Sequence, residues 1–211
     1  MSARHLLFLA AASLGLIGCS VEGVSPDPIE PPFAVSDYFV PSGFMGDGSL
    51  TIKPKPLELF YDGCRPRPAN ARGNCYRFAY RPVPLDEGGV GWAGVYWQSP
   101  ANNWGQDRPQ RVVPSASRVS FVASGGDGGE NLTILIGGLD ATDPDGDPLP
   151  YRDTLSVSQP FTLTTEPTRY DVPLPEGVSY DFVVGAFGFS LASDGAPSRA
   201  LFLDDIAWLE D

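Results

Sequence analysis

Apolar and polar positions along this chain repeat with a period of two. In residues 75–81, Tyr76, Phe78 and Tyr80 alternate with Arg77, Ala79 and Arg81. In residues 90–98, Val90, Trp92, Gly94 and Tyr96 fall on one face and Gly91, Ala93, Val95 and Trp97 on the other. That period belongs to a strand with two distinct faces. Further runs rich in β-branched and aromatic residues predict strands over 38–40, 50–53, 118–124, 131–137, 155–158, 161–165, 169–174, 181–189 and 200–208. Residues 41–48 read as a loop, and the glycines of 125–129 as a hairpin turn or a short loop. No window carries a helical period. Short strands bordered by 24 glycines and 22 prolines predict an all-β sandwich or jelly roll.

The chain is organised around residues 88–105, which hold three of its four tryptophans. One face of the strand at 90–98 can fill a core while the other offers aromatic rings to a ligand. Glycines between tryptophans point to tight packing or a close ligand. Trp92, Tyr96 and Trp104 are the expected stacking residues, because a flat aromatic surface suits the apolar face of a ring-shaped ligand that also carries hydroxyls. Gln98, Asn102 and Asn103 are expected to bond its hydroxyls.

The first 18 residues change the picture of where the chain works. Arg4 precedes a short apolar run that ends in Leu16, Ile17, Gly18 and Cys19. Such a run is too short to span a bilayer and reads as an export signal. Its last four residues resemble the lipobox of bacterial lipoproteins. That resemblance implies an acylated Cys19 as the first residue of the mature protein and a lipid anchor as its membrane attachment. Ser20 stands where an aspartate would favour the inner membrane of a Gram-negative bacterium, so the outer membrane is expected. Residues 19–36, with Pro26, Pro28, Pro31 and Pro32, read as an extended tether, and residues 37–211 as the folded domain.

Charge and rare residues exclude several functions. Without residues 1–18 the chain keeps 13 basic residues against 26 acidic ones, which argues against a nucleic-acid partner. The only histidine, His5, lies in the signal, so Ser-His-Asp and Cys-His catalysis are excluded from the remainder. Cys64 and Cys75 remain as an even pair in an oxidising compartment and predict a disulfide. Two free thiols or a metal pair are the alternative, and no further soft ligand supports them.

From Asp37 onwards, the motif order resembles bacterial carbohydrate-binding modules with the galactose-binding-like jelly roll. The residues that carry the resemblance are Cys75-Tyr76-Arg77-Phe78, Trp92 to Trp97 with Asn102-Asn103-Trp104-Gly105, and Val119 to Gly125. Leu163 to Glu166, Arg169 to Leu174 and Phe202 to Ile206 continue it. The resemblance implies a non-catalytic domain that binds a polysaccharide such as a β-glucan. A protein-binding, adhesin-like domain is the alternative, and a glycoside hydrolase a more distant one. Related jelly rolls also hold a structural calcium ion between an early acidic residue and the last strand. Here that implies Asp204 or Asp205 with Asp37 or Asp47. On the strand period Asp204 shares a face with Phe202 and Ile206, and points inward if they do. Asp143, Asp145 and Asp147 resemble the start of an EF-hand loop. Pro148 and Thr154 stand where that loop needs glycine and glutamate, which leaves a looser calcium site or a solvated acidic turn.

Overall fold

The computed structural model describes residues 27–211. The expected signal segment and Cys19 lie outside the described residues. Thirteen strands are formed: β1 (Phe33–Ala34), β2 (Val40–Gly46), β3 (Leu57–Phe60), β4 (Tyr76–Tyr80), β5 (Trp92–Gln98), β6 (Gln110–Arg111), β7 (Arg118–Gly125), β8 (Asn131–Gly137), β9 (Ser156–Thr162), β10 (Thr168–Pro173), β11 (Phe182–Val183), β12 (Gly185–Ala192) and β13 (Arg199–Leu209). Only three short 3-10 turns accompany them among the described residues, and no helix there is long and apolar enough to cross a membrane.

The strands build a jelly-roll β-sandwich. One sheet runs β10-β7-β13-β4-β3, with β1 added against β13, and the other runs β2-β5-β12-β8-β9. All of these pairs are antiparallel. Alternation decides what each strand gives to the core. Ala93, Val95 and Trp97 of β5, and Phe187, Phe189 and Leu191 of β12, are fully buried on the inner face of the five-stranded sheet. Tyr76, Phe78 and Tyr80 of β4, with Phe121 of β7, face them from the other sheet. Aromatic rings join the layers edge to face: Tyr76 with Trp97 at 5.1 Å, Phe78 with Phe189 at 4.8 Å and Phe121 with Phe187 at 5.5 Å between centroids. Each large apolar side chain buried this way contributes about 1.5–3 kcal/mol.

Four local features differ from the sequence reading. Residues 41–46 are not a loop but most of β2, which pairs with β5 through a bulge at Ser42. Residues 50–53 form no strand, whereas Leu57–Phe60 does. The runs at 155–158 and 161–165 are largely one strand, β9, which carries Pro160 because it lies at the sheet edge, where a missing N–H does no harm. The fold also begins before Asp37. Ile29 bridges Val112, Phe33 and Ala34 pair with Trp208 and Ala207, and Phe33 stacks on Trp208 at 5.7 Å. Apolar residues among the prolines therefore dock residues 29–36, the last part of the expected tether, on the sandwich.

Candidate functional site

The outer face of the five-stranded sheet carries a row of mostly small residues. Strand register aligns Met45, Gly94, Ser190, Thr133 and Pro160 across β2, β5, β12, β8 and β9. Gly94 Cα and the other four side chains lie on the face away from the core, since their chain neighbours Phe44, Val95, Phe189 and Ile134 pack into it. Four inter-strand steps give this row a length of about 19 Å. On one side stands Trp92, which is 36% exposed and neighbours Ala192. On the other stand Tyr96, Gly188 and Leu135, aligned in the next row. Two aromatic ridges thus flank a floor of glycine, serine and threonine, which makes a shallow trough running across the strands.

The ridges have different constructions. Tyr96 is 5% exposed, and its hydroxyl donates to the Gly137 carbonyl at 3.0 Å. Its ring lies flat over β12, where a Cβ added at Gly185 or Gly188 would come within 2.8 or 2.6 Å of it. Trp104, half-buried, covers Tyr96 edge-on at 6.5 Å, with Leu139, Tyr151 and Met45 packed around them. Trp92 stands alone on the opposite ridge against Gly46, where an added Cβ would meet its ring at 2.9 Å.

Of the expected sugar-binding residues, then, Trp92 and Trp104 present rings to this face and Tyr96 supports from beneath. Trp97 lies in the core. Gln98 is fully buried, with Oε1 accepting from the Ser42 hydroxyl at 3.1 Å, so it cannot reach a ligand. Asn103 is 1% exposed and organises its own loop. Its Nδ2 donates to the Ser99 and Asp107 carbonyls, and its Oδ1 accepts from the Gly105 and Asp107 amides. Asn102 is exposed, its amide donating to Ser42 Oγ beside Trp104. The sequence reading missed Met45, Ser190 and Thr133. Their signal was the polar or small phase of strands whose other phase is apolar, and it acquires meaning only when five strands are aligned.

The aspartates expected at a calcium site are not brought together. Asp37 is exposed on a 3-10 turn. Asp47 is completely buried and accepts from Tyr80 Oη at 2.7 Å, the Val83 amide at 3.0 Å and the Val90 amide at 2.7 Å. Asp204 accepts from Arg67 Nε at 2.8 Å, and Asp205 pairs with Arg169 and with the Arg72 amide. No group of three or more metal-ligating side chains forms among the described residues. Asp204 also fails to point into the core. A bulge between Asp204 and Ala207 lets Asp205, at φ 50°, take up one extra position. Leu201, Leu203 and Ile206 therefore fill the core while Asp204 and Asp205 both face outwards. At 143–147, Asp143 Oδ1 accepts from the Asp145 and Asp147 amides, a self-bonded acidic turn.

One carboxylate supports the Tyr96 ridge. Asp153 accepts from the Val184 amide at 2.6 Å and from the Leu139 and Gly185 amides at 3.2 Å. Burial pushes its pKa up to about 6, against the opposite pull of the three amides. Burial, together with the Asp153 charge, also raises the Tyr96 phenol, which stays neutral and a hydrogen-bond donor.

Neither a protein-family model nor a curated protein matches the sequence. Solved structures do resemble the fold. A family 30 carbohydrate binding module is 16% identical, covers 86% of this chain and 89% of its own, and superimposes with a TM-score of 0.50. A second structure of a family 30 module gives 15% identity, 86% and 99% coverage and the same TM-score. A family 11 module from a cellulosomal cellulase of Clostridium thermocellum is 11% identical, with 87% and 96% coverage and a TM-score of 0.46. The family 30 modules share the jelly-roll sandwich with this chain. At such identities the likeness is one of fold.

Proposed function

We propose that this domain binds a polysaccharide chain along the trough across its five-stranded sheet and does not cleave it. The observation that carries the reading is the aligned row Met45, Gly94, Ser190, Thr133 and Pro160 between the Trp92 and Trp104 ridges. A floor in which Met45 is the one long side chain admits a flat chain, the two tryptophans offer apolar faces to pyranose rings, and the Ser190, Thr133 and Asn102 polar groups meet hydroxyls. The row contains no carboxylate, whereas glycosidases place two across the scissile bond. An uncharged, extended glucan suits it best, and the family 30 structures that share the fold are described as carbohydrate binding modules. Electrophoresis in gels containing β-glucans, with Trp92→Ala beside the parent chain, tests the reading. Retardation that is lost in the variant supports it. No retardation by any polysaccharide, or release of new reducing ends, overturns it.

We also propose that an acylated Cys19 holds the domain on a bacterial outer membrane. Because the fold is docked from Ile29 onwards, only nine residues lie between it and Cys19, ten chain steps with a reach of about 35 Å at full extension. A trough held that close to the surface would engage glycan of the envelope or its immediate surroundings. Mass spectrometry of the native N-terminus decides the anchoring: an acylated Cys19 supports it, and an unmodified cysteine or another start rules it out.

A further inference from the structure

On the opposite side of the sandwich, the outer face of β7 and β13 is roofed by the disulfide loop. Cys64 is bonded to Cys75, and between them Arg67 reaches down to Asp204 and also donates to the Gly73 carbonyl at 2.6 Å. Beside this strap lies a cavity of about 310 Å³, at the lower end of the ~300–1,000 Å³ typical of small-molecule sites. Phe202, Val122 and Pro66 give it apolar walls, while Arg169, Asp204 and Asp205 give it polar ones.

We propose that this cavity is a second binding site, for a short neutral saccharide such as a single sugar ring or a chain end. Three observations converge on that ligand class. First, the cavity is amphipathic in the way a sugar is: the half-buried Phe202 ring suits a C–H face, and charged groups stand beside it. Second, both of its carboxylates are paired, and the one further charged residue of the lining, Arg65, is exposed to solvent. Asp204 is bound by Arg67, and Asp205 by Arg169, which also donates to Ser120 Oγ at 2.9 Å. Both carboxylates are thus neutralised, and each pair offers acceptor and donor side by side, the arrangement that matches two vicinal hydroxyls. Third, the carboxylates are aimed there at a local cost. Asp205 adopts φ 50°, which a non-glycine residue rarely takes, inside the bulge that turns it and Asp204 to the same face. The size of the cavity limits the occupant to one or two rings, whereas the trough on the other sheet accommodates a run of chain. The two sites are independent, and this one stands whether or not the trough binds glycan.

The test is a 1H–15N NMR titration of the labelled full chain with glucose, galactose, xylose and cellobiose, and with glucuronate as a charged comparator. At least one neutral sugar is expected to shift the Gly126, Arg169 and Asp205 amides saturably in the millimolar range, without shifting those of Gly94 and Ser190 in parallel. Ala71→Trp, which fills the cavity from its roof and leaves both ion pairs in place, should weaken that response at least tenfold. Asp205→Asn should weaken it as well, in a protein whose spectrum stays dispersed, and Trp92→Ala should leave it unchanged. The proposal is overturned if no neutral sugar shifts these amides, if glucuronate alone does, or if the shifts persist in Ala71→Trp.

Discussion

Trp104 meets Tyr96 edge to face, with centroids 6.5 Å apart and planes at 83°, so one ridge of the trough is a packed pair while Trp92 opposite it is a lone ring. The two ridges should respond differently to truncation. Trp92→Ala removes an exposed surface and should cut polysaccharide affinity at least about tenfold, roughly 1.4 kcal/mol, with little change in melting temperature. Tyr96→Ala empties a buried site and leaves the Gly137 carbonyl without its donor, so it should destabilise the fold by about 3 kcal/mol. Calorimetry and binding measured on both variants separate the roles. A Trp92→Ala protein that melts early but still binds would reverse them.

How much of this was legible in the sequence depends on the range of the interaction. Alternation at 75–81 and 90–98 announces β4 and β5, because inner and outer faces select residues of opposite character, and β-branched and aromatic content at 118–124 and 131–137 announces β7 and β8. The same logic put Trp97 in the core. It failed at 41–46, where proline and two glycines look like a loop, and only the partner strand β5 makes them β2. It failed again at Asp204, because a bulge shifts the phase without changing composition. Gln98 and Asn103 carry the right chemistry for sugar hydroxyls, but burial commits them to Ser42 and to the loop at 103–107. Arg67 and Asp204 are 137 residues apart, and nothing local in either neighbourhood signals the pairing.

Asp47 is a structural keystone of the loops at the sandwich edge. Its carboxylate receives Tyr80 Oη and the amides of Val83 and Val90, which tie the turn after β2 to the segments after β4 and before β5. Asp47→Ala strands two buried donors and a part-buried one and should cost about 3 kcal/mol. The expected result is a lower urea midpoint with an unchanged slope. An unshifted midpoint would show that water replaces the carboxylate without loss.

The Cys64–Cys75 bridge closes an 11-residue separation and holds the strap that carries Arg67. In the chain-entropy picture, opening a loop of this size costs about 3 kcal/mol. Reduction, or replacement of both cysteines by alanine, should lower the melting temperature accordingly. It should also expose the strap at 64–75 to protease before the sheets unfold. A non-reduced peptide map in which both cysteines label as free thiols would remove the basis of this prediction.

Asp153 gives the stability of the trough wall a pH dependence whose sign can be worked out. Burial raises its carboxyl to about 6 in the folded protein, above the value of about 3.9 expected for an unfolded chain. The native state therefore holds this proton more tightly than the unfolded state does. Its contribution to stability is full below about pH 4 and is lost as pH rises through 6, so the ionised form at neutral pH is the less favourable one. The amides of Leu139, Val184 and Gly185 limit the loss by bonding the carboxylate, which keeps the 138–153 loop fastened to β12 under Trp104. Asp153→Asn has no such proton to lose. The stability of the parent relative to this variant should fall between pH 4 and pH 6 and then level off, as measured by urea unfolding across that range. A carboxyl-carbon NMR titration should place the midpoint near 6, whereas parallel stability profiles, or a midpoint below 4, would mean that the three amides outweigh burial.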